Sequence, residues 1–195
     1  MPNETNNVTA KQTTVEESKF GTKRIAKMAI MAAVALLFSF IPNMPMLPGI
    51  DFIRYEFSDL PILISAFAVG TPAGLIIAAV SILLNFLLGG AESGPYGIIM
   101  HFIAIGSYVV AAGLIYQSKK TMKSALVGML VGIVVMTAVM IPANLFITPV
   151  FMGAPRSAVI SLLLPAIIPI NLLKGLLTAI LTFILYKRVS GFLHR

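Results

Sequence analysis

Residues 167–186 read IIPINLLKGLLTAILTFILY, an apolar run with a single charged side chain, Lys174, near its middle. A helix of about 20 apolar residues is long enough to cross a bilayer. The run therefore predicts a transmembrane helix with an amine at mid-membrane depth. A lysine at that depth costs about 2.5–3.5 kcal/mol, and such residues usually face a water-filled cavity or a partner. The alternative is a lysine that snorkels to the interface or loses its charge.

The composition extends this prediction to the whole chain. Of the 195 residues, 58% are hydrophobic and 11% are charged, whereas soluble domains carry about 25% charged residues. The absence of cysteine excludes disulfides, thiolate metal sites and cysteine nucleophiles, and two histidines are too few for a histidine-based metal site. The net charge of +7 comes from basic clusters beside apolar runs, which is typical of membrane orientation and not of nucleic-acid binding.

Turn signals divide the chain into six apolar runs, which predict an all-α polytopic fold with six transmembrane helices, because open sheet edges are not tolerated in lipid. The runs cover residues 25–41, 57–69, 73–89, 98–116, 124–147 (closed by Thr148-Pro149) and 158–186. The second run is short for a span. It is interpreted as a short, strongly packed helix, the alternative being a re-entrant or surface segment. The predicted organisation is a polar cytoplasmic tail without a signal peptide (1–22), a membrane domain (23–190) and a short tail (191–195).

The distribution of lysine and arginine predicts that both termini are cytoplasmic and that the chain lies in the inner, or plasma, membrane. The external loops would hold only Arg54 and Arg156. The cytoplasmic segments would hold eleven: Lys11, Lys19, Lys23, Arg24, Lys27, Lys119, Lys120, Lys123, Lys187, Arg188 and Arg195.

Carboxamides inside the predicted helices are the next candidates for a binding site. Asn171 lies three residues before Lys174 and shares its helix face. Asn144 and Asn85 are the other amides within apolar runs. An amide presents both donors and acceptors, which suits a heterocycle with alternating N–H and C=O groups. The alternative is hydrogen bonding between helices, worth about 0.6 kcal/mol per bond.

Two other segments have simpler interpretations. Ala29 and Ala33 form a small-xxx-small face on the first helix, which would let another helix approach, either inside this bundle or from a partner. Ser58 and Asp59 are predicted to cap the second helix. The loop before it would hold a solvated charge cluster of Asp51, Arg54 and Glu56, or act as a lid.

The absence of several sequence motifs argues against enzymatic and stand-alone carrier functions. The sequence has no GxxxxGK[ST], HExxH or GxSxG, and no pair of intramembrane aspartates. It has no carboxylate within a predicted helix core and no clear internal repeat, which secondary carriers commonly have. The protein is therefore predicted to be a non-enzymatic transport subunit whose energy comes from a partner. A stand-alone carrier or assembly factor is the second hypothesis, and an intramembrane enzyme the third.

Five segments resemble the substrate-binding S components of energy-coupling factor (ECF) transporters, the prokaryotic vitamin importers, and are most similar to the riboflavin-type members. These are LPGIDFIRYEFSDLP (47–61), GTPAGLI (70–76), GPYGIIMHFIA (94–104), MTAVMIPANLF (136–146) and IIPINLLKG (167–175). The last is close to the family's I-P-F-N-I-I-K-G and is the most specific.

The resemblance implies six helices with cytoplasmic termini and a vitamin site near the outer face, with riboflavin as transported ligand and no cofactor. Asn144, Asn171 and Lys174 match the family's ligand-binding positions. Ala29 and Ala33 match its Ala-x-x-x-Ala face, which docks on a membrane coupling protein driven by two ATPase subunits.

The sequence departs from the riboflavin-type pattern in the third and fourth helices. Ser81 and Ile82 replace a Lys-Asn pair ahead of Asn85, and His101 stands where an asparagine is usual. Asn85 and His101 are kept as candidate ligand contacts. These departures leave a smaller vitamin, pyridoxine or hydroxymethylpyrimidine, as the alternative substrate.

Overall fold

The computed structural model describes residues 21–41, 44–45, 54–90 and 94–193, and these are almost entirely helical. The elements are α1 (Thr22–Ser39), β1 (Met44–Pro45), β2 (Arg54–Tyr55), α2 (Asp59–Ala68), α3 (Thr71–Leu87), α4 (Gly94–Lys119), α5 (Met122–Met152), α6 (Arg156–Leu162), a π-helical turn (Leu163–Ile167) and α7 (Ile168–Leu193). β1 and β2 form a two-residue antiparallel pair. Because α6, the π turn and α7 are continuous, the described chain consists of six helical rods, one for each predicted run.

The rods have an apolar exterior. Among the exposed side chains, Leu164 and Leu37 are 79% and 70% accessible. Three stretches are long and apolar enough to cross a membrane: Gly94–Lys119, Met122–Met152 and Arg156–Leu185. Polar groups such as Asn171 and Thr182 are buried instead. Lipid is the solvent that suits this distribution.

The short helix α2 lies at the centre of the bundle. It contacts α1, α3, α4 and α7, and every residue from Asp59 to Phe67 is buried. The second run is therefore a packed helix and not a surface segment. Its ten residues span about 15 Å, roughly half of a hydrocarbon layer of about 30 Å. When the C-terminal end of α2 lies at the membrane–water interface, Asp59, the first residue of α2, consequently lies deep in the bundle.

The fifth helix is longer than predicted. Thr148 and Pro149 do not end α5, which continues to Met152 and stops at Gly153, whose φ of 62° favours glycine. The prediction of a stop at Thr148-Pro149 is wrong because a proline near a helix end removes few backbone hydrogen bonds. In addition, the Thr148 hydroxyl donates to the Asn144 side chain one turn earlier, at 3.0 Å.

Prolines act differently in the last rod. Pro165 lies within the π-helical turn Leu163–Ile167, and Pro169 follows it in the first turn of α7. Because a proline cannot donate to the preceding turn, it frees carbonyl groups and disturbs the regular helix. The turn immediately precedes Asn171 and Lys174, so the irregular backbone sits directly beside the predicted binding residues.

Glycines allow α4 and α5 to pack closely, and theirs is the most extensive helix contact in the described chain. A Cβ on Gly128 would lie 2.7 Å from the carbonyl oxygen of Ala112, and a Cβ on Gly132 would overlap the Tyr108 ring. This close contact holds α4 and α5 together as a pair.

Candidate substrate site

Lys174 points into the bundle and forms an ion pair with Asp59. The Lys174 Nζ lies 3.4 Å from Asp59 Oδ2, and the two side chains are 11% and 3% exposed. A lysine paired inside the bundle does not snorkel to the interface, so the structure excludes that alternative. The pair connects α7 to the first residue of α2.

His101 extends this pair into a centre of four charged side chains. Its Nε2 lies 2.7 Å from the other carboxylate oxygen of Asp59, and its Nδ1 contacts Glu56. We call Glu56, Asp59, His101 and Lys174 the charged centre. With both bases protonated, the two carboxylates and the two cations balance. Burial by itself raises the pKa of the Glu56 carboxyl, but the charges of His101 and Lys174 outweigh it and hold that pKa below its usual range.

Two tyrosines tie the surrounding elements to α7. The Thr178 hydroxyl donates to the Tyr55 hydroxyl at 3.2 Å, and the Tyr108 hydroxyl donates to the backbone carbonyl of Gly175, also at 3.2 Å. Burial raises the pKa of Tyr55 to about 12, so it stays a neutral phenol at physiological pH. Thr178 lies one turn beyond Lys174, so the loop before α2 and helix α4 both hold the segment of α7 that carries the lysine.

The predicted amides Asn171 and Asn144 are both buried. The Asn171 side chain donates to the Ile167 carbonyl at 2.7 Å, within the π turn, and the Asn144 side chain donates to the Met140 carbonyl at 2.8 Å. Each amide thus satisfies a backbone carbonyl of its own rod. Asn171 stands on the same rod and face as Lys174, whereas the described hydrogen bonds of Asn144 stay within α5.

Asn85 lies apart from these groups. It occupies the end of α3, packed against Gly90, and its side-chain oxygen is buried without a hydrogen-bond partner among the described residues. No described contact joins it to the charged centre, so the structure brings Lys174 and His101 together through Asp59 but leaves Asn85 separate.

Ala29 and Ala33 lie on an exposed face of α1. The buried residues of this helix are Met28 and Ala35, which pack towards the bundle core. The internal packing alternative for Ala29 and Ala33 therefore does not hold, and their face is accessible to a neighbouring helix.

The interpretation of the loop before α2 is corrected in two places. Ser58 precedes the helix, but its side chain makes no capping hydrogen bond, and the Asp59 oxygens face His101 and Lys174. Glu56 pairs with His101 and is not part of a solvated cluster. The Asp51 and Arg54 side chains lie outside the described residues. The missed signal was chemical: a lysine buried in lipid needs a counter-ion, and few carboxylates were available.

Three side chains of the charged centre also resemble a cation site. Glu56, Asp59 and His101 each offer a ligand atom, all within 4.8 Å of one another. However, both nitrogens of His101 already face carboxylates, and the Lys174 ammonium lies against Asp59. A bound metal would have to displace these ion pairs and sit beside a positive charge, so the donor set fits an ion-pair network better than a metal.

Comparison with known proteins gives concordant matches over most of the chain. Residues 23–186 match the family described as ECF transporter, substrate-specific component. The riboflavin transporter RibU of Staphylococcus aureus is 33% identical over 89% of this chain and 93% of its own length. The riboflavin transporter FmnP of Bacillus subtilis is 24% identical over 89% and 95%.

Two solved structures share the fold. One, described as the S component of a bacterial ECF transporter, matches with a TM-score of 0.75 at 33% identity, covering 89% of this chain and 98% of its own. ThiT from Listeria monocytogenes matches with a TM-score of 0.64 at 22% identity, over 88% and 97%, and supports the fold alone.

Proposed function

The chain belongs to the substrate-specific components of ECF transporters, and we propose that the vitamin it captures is riboflavin. It is accordingly a multi-pass protein of the plasma membrane and a transporter subunit, not an enzyme, and it works with a substrate and an energising module. The choice of riboflavin rests on the names of relatives that match nearly the whole chain.

The observation that carries the proposed site is the inward-facing Lys174. Its ammonium can donate to a ring carbonyl, and Asn171, one turn earlier on the same face, adds donor and acceptor atoms. Asn144 would supply a third contact from α5. Ser58 supports the location, because its hydroxyl is buried beside Asp59 with no hydrogen-bond partner among the described residues. Buried polar atoms normally have partners, so this hydroxyl is available to a ligand.

The charged centre would hold this site in a defined geometry before the vitamin arrives. Asp59 fixes the Lys174 ammonium, and His101 fixes Asp59 from α4. A pre-positioned donor loses little conformational entropy on binding. In this arrangement Glu56, Asp59 and His101 position the lysine, and Lys174 and Asn171 touch the ligand. Asn85 would contact a part of the vitamin distant from Lys174.

The ends of the bundle support the proposed orientation. Arg24 at the start of α1 contacts the end of α2, and Lys120 follows the end of α4, so two basic clusters lie at one end. Placing that end in the cytoplasm satisfies the positive-inside rule and puts both termini inside. The charged centre then lies towards the outer half of the membrane, from which a vitamin importer must load.

Docking is proposed on α1. The exposed Ala29 and Ala33 leave a shallow face on which a helix of the membrane coupling protein would pack, with two ATPase subunits supplying the energy. A small-residue face allows the close helix approach that transient, sliding contacts in lipid require.

Riboflavin binding tests the substrate and the site together. Purified protein should quench riboflavin fluorescence on binding. Lys174→Gln, which keeps a polar side chain on this face of α7, should weaken affinity by about 10- to 100-fold, the range expected for a hydrogen bond from a charged donor. Lys123→Gln, at an exposed position at the start of α5, is the matched control and should bind normally.

Asn171→Ala provides the second variant, with circular dichroism to verify the helical content. Normal affinity in both Lys174→Gln and Asn171→Ala would remove the site assignment. If the wild type does not bind riboflavin but binds pyridoxine or hydroxymethylpyrimidine, the site assignment is kept and the proposed substrate becomes the smaller vitamin.

Docking has a separate test. Ala33→Trp should abolish uptake by the assembled transporter while leaving vitamin binding intact, because the added ring blocks helix approach from outside the bundle. Val134→Trp, on α5 and 64% exposed, is the control and should transport normally. Loss of vitamin binding in Ala33→Trp would contradict an external docking face.

A further inference from the structure

The five-residue pattern I-P-x-N-L occurs in α5 at residues 141–145 and again in α7 at residues 168–172. In both copies the asparagine side chain donates to the backbone carbonyl four residues earlier, at 2.8 Å for Asn144 and at 2.7 Å for Asn171. Because a carbonyl oxygen cannot donate, each amide must direct its nitrogen towards its own helix. Two of the proposed vitamin contacts therefore share one local arrangement.

The two copies differ four residues after the asparagine. In α5 this position is Thr148, whose hydroxyl donates to the Asn144 side-chain oxygen at 3.0 Å, and both residues are buried. In α7 the position is Gly175, which has no side chain and lies close against Ile133 of α5. Asn144 is thus held at its nitrogen and at its oxygen, whereas the described hydrogen bonds hold Asn171 at its nitrogen alone.

The hydrogen bond of Thr148 is unusual for a hydroxyl inside a helix. Such hydroxyls ordinarily donate to a backbone carbonyl of the preceding turn. Ser65, Ser81 and Thr137 do so, each to the carbonyl four residues earlier, at 2.6, 2.7 and 2.8 Å. The backbone carbonyl of Asn144 lies one turn before Thr148 in the same way, yet the hydroxyl donates to the amide oxygen. The Thr148 side chain therefore holds the amide and not the helix backbone.

The packing of α4 and α5 gives the position of this amide along the bundle. The two helices are joined by a two-residue turn and pack along their lengths, so they run antiparallel. Tyr108 lies against Gly132. Seven residues from this pair in each helix, His101 is level with position 139, and Asn144 lies five residues further, about 7 Å beyond His101. The amide therefore lies just beyond the charged centre, on the side away from the turn that joins the helices.

We propose that Thr148 is a positioning residue for the vitamin, an inference that rests on the proposed contact between Asn144 and the substrate. One N–H of the amide donates to the Met140 carbonyl and the oxygen accepts from Thr148, so rotation of the amide would break both bonds. The second N–H is the donor that remains. Asn144 would therefore meet an acceptor atom of the vitamin, such as a ring nitrogen or a carbonyl oxygen. A donor held in place beforehand loses little entropy on binding.

The test measures riboflavin affinity of the full-length protein by fluorescence quenching, with circular dichroism to verify the helical content. Thr148→Val removes the hydroxyl and keeps the branched shape, and it should weaken affinity about fivefold, the effect of one neutral hydrogen bond. Thr148→Ser keeps the hydroxyl and should bind like the wild type.

Thr182→Val is the matched control, since it makes the same substitution at a buried threonine of α7. Thr182 lies eight residues beyond Lys174, about 12 Å further along the helix, and its hydroxyl has no hydrogen-bond partner among the described residues. Its removal should leave riboflavin affinity unchanged.

A double-mutant cycle with Asn144 separates a positioning role from a structural one. Asn144→Ala alone should weaken affinity, and adding Thr148→Val should then have no further effect, because no amide remains to be positioned. An equal loss from Thr148→Val in both backgrounds would overturn the proposal, since the hydroxyl would then act without the amide.

Failure of this inference is distinct from failure of the proposed function. Normal affinity in Thr148→Val, together with weak binding by Asn144→Ala, would overturn the positioning role alone. Normal affinity in Asn144→Ala would also overturn it, because Thr148 would have no ligand contact to position, while Lys174→Gln still tests the site. If the wild type binds pyridoxine or hydroxymethylpyrimidine in place of riboflavin, the proposed substrate is wrong, and the same cycle measured with that vitamin decides the role of Thr148.

Discussion

The two polar regions of this protein handle charge in opposite ways. In the charged centre, Lys174 and His101 face Asp59 and Glu56, so a buried group of four charges is neutral within the chain. At the other end of α2, Arg24 donates to the Val69 carbonyl at 3.1 Å, and Lys120 lines a cavity there beside apolar side chains. The two regions lie at opposite ends of the same ten-residue helix, α2.

Depth in the membrane explains the difference. An unpaired charge inside the hydrocarbon layer costs several kcal/mol, so the deep cations need counter-ions from the protein itself. Near the headgroups, water and lipid also stabilise a charge, so a cation there depends less on a buried carboxylate. Removing a charge from the charged centre should therefore destabilise the protein. Removing Lys120 at the other end of α2 should leave its stability unchanged or raise it.

The largest effect is expected from Asp59→Asn. It leaves the Lys174 ammonium buried without its counter-ion, and breaking a buried pair from one side costs about 3–5 kcal/mol. Thermal unfolding in detergent should show a large loss of stability together with loss of riboflavin binding. A stable Asp59→Asn protein would mean that the ion pair contributes little at this depth.

The double variant Asp59→Asn/Lys174→Met separates stability from function. Removing both charges eliminates the uncompensated ammonium, so most of the lost stability should return. Riboflavin affinity should remain low, because the proposed donor is absent. Recovery of both properties would show that the pair is purely structural.

A smaller loss is expected from Tyr108→Phe. The change removes the hydrogen bond to the Gly175 carbonyl while leaving the ring against Gly132, and one such bond is worth about 1 kcal/mol. Chemical denaturation should detect the difference. Affinity should fall only modestly, because the bond holds α7 beside Lys174 without touching the ligand.

At the end of the bundle that carries Lys120, removing a charge should raise stability instead of lowering it. Lys120→Gly removes a charge yet should raise stability by about 1 kcal/mol in neutral detergent, because the left-handed conformation at this position, with a φ of 48°, costs an L-residue about 1–2 kcal/mol that glycine avoids. Lys119→Ala should change stability by less. Destabilisation by Lys120→Gly in the absence of anionic lipid would show that the lysine side chain is part of the packed structure.

The smallest effect is expected from pH, through Glu56. Burial alone raises its carboxyl pKa, but the charges of His101 and Lys174 lower it overall. A lowered folded-state pKa contributes stability above the unfolded value of about 4.3, and this stability is lost as pH falls through the lower folded value. Thermal unfolding between pH 7 and pH 3 should therefore show less acid sensitivity in Glu56→Gln than in wild type. Equal acid sensitivity would place the titrating group elsewhere.

The sequence by itself determined the membrane class, the six helical rods and the importance of Lys174. Hydrophobic runs and buried charge are local, additive properties, so a transfer cost of several kcal/mol can be recognised without knowing what surrounds the residue. The amides Asn171 and Asn144 and the Ala29–Ala33 face were also predicted from the residues themselves, and the family resemblance then gave them ligand-binding and docking roles that stay predictions.

Only the tertiary structure decided what the charges contact. Asp59 was interpreted as a cap and Glu56 as solvated, because a sequence does not reveal that α2 begins deep in the bundle, opposite a lysine more than a hundred positions later. The cavity beside Lys120 likewise depends on three separate segments meeting around Gly70. Pairing across helices depends on packing and depth, and these are set by the whole fold and not by any one run of residues.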